Sequence, residues 1–114
     1  MSFSGFSNRN NEGEKNEELL PQIRESFQNF SKNVFTDGAI PGKTKQLIAV
    51  AVAHVTQCQY CIEGHTKLAL KQGASMDELM EAIWVAAEMR AGAAVSHSKI
   101  AIKTMKESLQ KEKS

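Results

Sequence analysis

Leu47-Ile48-Ala49-Val50-Ala51-Val52-Ala53-His54-Val55 is the stretch on which the fold turns. It is apolar on every side of a helical wheel except at His54, and a helix apolar all round is a buried one. Its Val and Ile would also suit a buried strand, but the Ala residues and the length of the surrounding segment favour a helix. The reading places this helix over Lys43–Gln57. Upstream, Thr36-Asp37-Gly38-Ala39-Ile40-Pro41-Gly42 packs two Gly and one Pro into seven residues, which marks a loop. Before the loop, Leu20, Ile23, Phe27, Phe30 and Val34 recur at spacings of three and four. They predict a helix over about Glu18–Phe35, with Pro21 tolerated in its first turn.

Downstream, a third helix is expected from the cysteines to Gln72, ended by Gly73. Ser75 with Glu78 three residues on is a capping-box signature that opens a fourth helix. Its apolar face is Met76, Leu79, Met80, Ile83, Trp84 and Ala87. Gly92 is expected to break or bend it, leaving a final helix that carries Val95, Ile102, Met105 and Leu109. No strand pattern and no internal repeat occurs. The expected fold is all-α, a bundle of about five helices over residues 17–110. Residues 1–16, seven of them Ser or Asn, read as a flexible N-terminal tail with too little apolar surface to offset its ordering entropy.

The chain has 114 residues, 14 Lys+Arg against 13 Asp+Glu and a net charge of +1. That balance gives no electrostatic argument for nucleic acid or an anionic membrane as partner. The longest unbroken apolar run, Leu47–Ala53, falls far short of the roughly 20 residues of a membrane helix. The first residues show no secretory signal pattern, so a cytoplasmic location is expected. A chain this short buries a modest core, and burial between subunits would help it. The apolar helix at 47–55 and the Met/Trp-rich fourth helix predict a homo-oligomer.

The chemistry concentrates in Cys58-Gln59-Tyr60-Cys61-Ile62-Glu63-Gly64-His65, a C-x2-C-x3-H pattern that uses both cysteines of the chain. On a helix, residues three and four apart share a face, so Cys58, Cys61 and His65 form one stripe. Cys58 falls at the helix N-terminus, where unpaired N–H groups and the dipole favour a thiolate. His65, one turn past Cys61, is placed to take or return its proton. Two sulfurs able to bridge, one of them acidified, and a base nearby are what a dithiol redox site needs. The bland alternative is a pair of buried cysteines acting as small hydrophobes, with His65 capping.

With His54 the stretch also reads H-x3-C-x2-C-x3-H, four zinc-ligand types. In one continuous helix the two histidines would stand about 16 Å apart along the axis, against metal–ligand distances of about 2.3 Å or less. Only a chain break at Gln57 would gather them. Haem attachment needs His directly after the second cysteine, where Ile62 stands. No cofactor and no metal is expected.

At these residues the sequence resembles the carboxymuconolactone decarboxylase-like superfamily, in its thiol-bearing branch typified by the alkylhydroperoxidase AhpD. The resemblance covers about residues 20–108. It rests on Lys43–Ala53, on Cys58–His65, and on Leu68-Ala69-Leu70-Lys71-Gln72-Gly73-Ala74-Ser75 with Glu78 after it. It implies an all-helical fold, obligate oligomers that are commonly trimers or hexamers, and peroxide- or disulfide-reducing activity at the CxxC. A peroxide or disulfide substrate and a dithiol reductant or protein redox partner follow from it. The decarboxylase that names the superfamily uses no CxxC, so the cysteine pair argues against lactone chemistry.

Two positions depart from the AhpD-like pattern. Gln46 stands where a Glu is expected and Tyr60 where a His is expected. An amide orients a water but carries no proton, which predicts weak hydroperoxide turnover that Gln46→Glu should raise. His54, two turns along from Gln46 and one turn before Cys58, is a candidate replacement base; its plain alternative is a histidine bonded to a backbone carbonyl. Glu63 and Glu88 are further candidates for the missing acid. Met76, Met80, Met89 and Trp84 read as core or subunit-interface packing, and Arg90 and His97 have no evident partner. A rival expectation from another class is a non-enzymatic helical oligomer whose CxxC senses redox state or binds zinc.

Overall fold

The computed structural model describes residues 20–113, and the expected tail at 1–16 lies outside them. Four helices follow in order: α1 (Pro21–Phe35), α2 (Gly42–Thr56), α3 (Gln59–Lys71) and α4 (Met76–Lys113). There is no strand among the described residues. The all-α expectation holds, with four helices in place of about five.

α1 starts on Pro21, whose missing N–H is one the first turn leaves unpaired in any case. The chain then turns through Asp37, whose carboxylate accepts the Gly42 N–H at 2.5 Å and caps α2. Glycine leaves room there for two side chains to close over the start of α2. A Cβ would stand 2.8 Å from Gln72 Oε1 and 3.0 Å from Asp37 Oδ1. α2 ends at Gln57, a non-glycine residue in the left-handed region (φ 59°) whose N–H returns to Ala53 O. Gly73 (φ 90°) closes α3 in the same way, with Ala74 N–H bonded to Ala69 O at 2.9 Å. The capping box opens α4 as expected: Glu78 N–H donates to Ser75 Oγ at 3.0 Å and Ser75 N–H to Glu78 Oε1 at 2.8 Å. Lys43 adds a 3.0 Å ion pair to Glu78 and joins the N-termini of α2 and α4.

The expected break at Gly92 does not occur, and α4 runs unbroken for 38 residues, about 57 Å. A lone helical glycine costs only about 1 kcal/mol relative to alanine. Ala91, Ala93 and Ala94 flank it, and neither proline nor a cap follows it. Local helix formers outweigh the single weak residue.

α2 is the hub and packs against both α3 and α4. Its buried stripe is Gly42, Gln46, Val50 and Ala53. Val50 and Ala69, both 0% exposed, meet Ala74 and Leu79 in the core, with Leu47 and Ile83 against them. The expectation that α2 is buried all round fails within one chain. Ile48, Val52 and Val55 on its other side are open. α1 buries no residue, and Lys45 holds its end, donating to Val34 O (2.9 Å) and Thr36 O (2.7 Å).

Candidate active site

The left-handed turn at Gln57 puts Cys58 in extended backbone (φ −90°, ψ 101°) as the N-cap of α3. Its Sγ accepts the Cys61 N–H at 3.3 Å. The helix N-terminus therefore aims a backbone donor at the first sulfur, which favours a thiolate there once the bond is reduced. Cys58 and Cys61 are joined as a disulfide with Cα atoms 5.2 Å apart. Both residues are half-buried.

His65 lies one turn further along α3. Its Nδ1 meets Gln46 Oε1 from α2 at 2.8 Å, and Gln46 is only 2% exposed. The Phe35 ring at the end of α1 covers the imidazole, with centroids 5.0 Å apart and planes 30° apart. Burial pushes the His65 pKa below its ordinary value of 6.5, since a poorly solvated ring disfavours the charged form. Three helices thus converge on one imidazole.

A cavity of about 650 Å³ opens beside it, walled by Phe27, Phe30, Tyr60 and Leu68 and floored by Cys61 and His65. A second, of about 400 Å³, reaches Cys61 and His65 from the side of Ile48 and Val52. Cys61 and His65 line both, and Cys58 lines neither. The two sulfurs therefore face different surroundings. No carboxylate among the described residues lines either cavity; Glu63 and Glu88 are exposed.

Of the sequence-predicted residues, Cys58, Cys61, His65 and Gln46 come together and His54 does not join them. His54 Nδ1 bonds Val50 O at 2.8 Å on its own helix, and its ring lines a separate recess with Ile83, Ala86 and Arg90. That is the backbone-bonded alternative. The zinc-ligand set is not gathered either: no group of three His, Cys, Asp or Glu among the described residues stands close enough to hold a metal ion. Arg90, which had no evident partner, donates from Nη1 to Val55 O at 2.7 Å. It satisfies a carbonyl at the α2 C-terminus, where a cation is favoured. The two residues are 35 positions apart, so no local signal could have paired them.

Residues 21–104 match the Carboxymuconolactone decarboxylase family. The chain belongs to this family. It is 60% identical over 85 residues to a Paracoccus denitrificans protein named as protein 4 in the cox locus, covering 75% of this chain and 77% of that one. A Cupriavidus necator protein is 36% identical over 72 residues, 63% of this chain and 64% of its own length. Among solved structures, a Methanobacterium thermoautotrophicum protein superposes with a TM-score of 0.68 at 38% identity, over 75% of this chain and 98% of that one. A carboxymuconolactone decarboxylase family protein of Thermotoga maritima, with a suggested part in the antioxidative response, has a TM-score of 0.57 at 27% identity, over 81% of this chain and 95% of that one.

Proposed function

We propose that the protein is an AhpD-like CxxC thiol oxidoreductase that reduces peroxides or partner disulfides in antioxidant defence. The observation that carries this is the Cys58–Cys61 bridge at the α3 N-terminus, with His65 one turn past Cys61 and lining the same cavity as Cys61. Family membership and the antioxidative neighbour support it.

In the reduced protein His65 takes the Cys61 proton and the Cys61 thiolate attacks the distal oxygen of a hydroperoxide. The O–O bond breaks, Cys61 becomes a sulfenic acid, and the alkoxide leaves as alcohol with the proton His65 holds. Cys58 then attacks the Cys61 sulfur, the disulfide forms and water leaves. With a disulfide substrate, the same attack gives a mixed disulfide that Cys58 resolves. Two electrons from a dithiol reductant return the bridge to thiols. Exposure of Cys61 to the cavities supports it as the attacking sulfur; the N–H at Cys58 lowers the energy of the thiolate that resolves.

The working form in this reading is a cytoplasmic homo-oligomer, a trimer or hexamer. Open apolar residues on α2 and along α4, with Trp84 68% and Met89 61% exposed, support the assembly. No described helix is long and apolar enough to cross a membrane.

The deciding experiment is peroxide consumption with a panel of dithiol donors, run on the wild type, Cys61→Ser and Cys58→Ser. Both variants should lose turnover by more than about 10³-fold. Cys58→Ser should accumulate a Cys61 sulfenic acid that a dimedone probe traps. Full activity in Cys61→Ser, or a disulfide that no dithiol reduces, defeats the reading.

A further inference from the structure

The amide beside the imidazole is the one buried polar side chain among the described residues, and the cycle above gives it no step. We propose that Gln46 is the positioning residue of this site: its carbonyl oxygen accepts the proton-bearing Nδ1 of His65 and leaves Nε2 as the ring's basic nitrogen.

The argument begins with the donor inventory. A neutral imidazole has one N–H and one lone pair, and which nitrogen carries the hydrogen is set by what the other atoms offer. Gln46 offers Oε1 at 2.8 Å to Nδ1, and a carbonyl oxygen can only accept. Gln46 is only 2% exposed, although it borders the larger cavity, so its amide is largely shielded from bulk water. Phe35 lies across the ring 5.0 Å away and restricts its rotation. Among the described residues His65 has no other hydrogen bond, so Nε2 is left with its lone pair. Burial holds the ring neutral near pH 7. An amide acceptor preserves that neutrality, whereas a carboxylate in its place would stabilise the imidazolium.

The charged and titratable groups that line the cavities with His65 are Lys32 on α1, Lys45 on α2, and Tyr60 and Cys61 on α3. Lys45 is engaged by two carbonyls. None of these is a carboxylate, so nothing else near the ring holds a proton on it. Gln46 is then a setting of the site and not a missing acid. The expectation that Gln46→Glu supplies a base gives way to another: the carboxylate would engage His65 and hold it protonated.

The structural part of this inference stands alone; its kinetic part rests on the thiol oxidoreductase reading. The test is nitrogen-15 NMR of the histidine rings in the full-length oxidised protein near pH 7.5, with His65→Asn used to assign the signal. The wild type should show the Nδ1–H form at His65, although free imidazole side chains favour Nε2–H in water. Gln46→Leu should revert His65 to Nε2–H. Gln46→Glu should keep Nδ1–H and raise the His65 pKa by about one unit or more. In turnover, the acid limb of the pH profile should move up with that pKa, so Gln46→Glu is slower than wild type at pH 6. An Nε2–H ring in the wild type overturns the proposal, as does a Gln46→Leu protein with an unchanged tautomer. So does a Gln46→Glu protein that is faster at pH 6 with an unmoved limb. If all proteins lack turnover while the tautomers behave as stated, the enzymatic reading fails and the positioning of His65 by Gln46 stands.

Discussion

The hub around Val50 and the far half of α4 are written in the same apolar helical code and end in opposite conditions. At the hub, Val50 of α2 meets Ala69 of α3 and Leu79 of α4, with Ala74 beside them. In α4 the last buried residue is Ala86. From there to Lys113 only Gly92 is even half-buried, although Val95, Ile102, Met105 and Leu109 continue the stripe and stand 43–70% exposed. Periodicity states that a face is meant to be covered and does not state by what. At the hub the covering comes from within the chain; on the arm the described residues supply none, and we propose that a second copy of the chain does.

The sharpest way to break this contrast is to charge the arm and leave the hub alone. Ile102→Asp with Met105→Asp should reduce the assembly to a monomer of about 12.6 kDa, read by light scattering, with the far-ultraviolet helix signal largely retained. An unchanged mass in the double variant, or a monomeric wild type, shows that the arm needs no partner copy. Within the hub, Val50→Ala removes two methylene-sized groups from a site with 0% exposure and should cost about 2 kcal/mol in denaturant unfolding. A cost below about 0.5 kcal/mol would mean the hub is not the core.

On the arm, Gly92→Ala should stabilise by about 0.5–1 kcal/mol, because the new Cβ meets only Glu88 Oε1 at 3.5 Å and helix propensity improves. A loss of stability there would reveal close packing at Gly92 in the assembly.

The smallest effect expected is a pH slope. Folding lowers the pKa of His65 below 6.5, so the unfolded chain binds the proton more readily. Stability from this group is fully present above about 6.5 and is lost as pH falls through that value toward the folded pKa. Melting temperatures at pH 7.5 and 5.5 should therefore drop less in His65→Asn than in the wild type; equal drops in both proteins count against a buried neutral ring.

What was legible in the sequence follows the range of the interactions. The capping box at Ser75 and Glu78, the loop at 36–42 and the pairing of Cys58 with Cys61 span three to seven residues, and each was readable from its own segment. Gly92 does not break α4, because the alanines around it outweigh one weak helix former. The apolar run at 47–55 predicts a helix covered all round, since hydrophobicity does not say how far one chain can cover it; here Ile48 and Val52 stay open.

By itself, then, the sequence determined the all-α class, the capping box at Ser75 and the close approach of Cys58 and Cys61, because all of these depend on neighbours within about two turns. What each histidine packs against was decided only in three dimensions. The sequence places His65 on the face of Cys58 and Cys61 and leaves His54, one turn before the pair, as a second candidate. The left-handed turn at Gln57 separates them, turning His54 toward Val50 O and α4 and bringing His65 against Gln46, 19 residues away. Arg90 finds Val55 O by the same route. Such contacts depend on how whole helices cross, and helix crossing is set by packing at the hub, which no single segment of the chain contains.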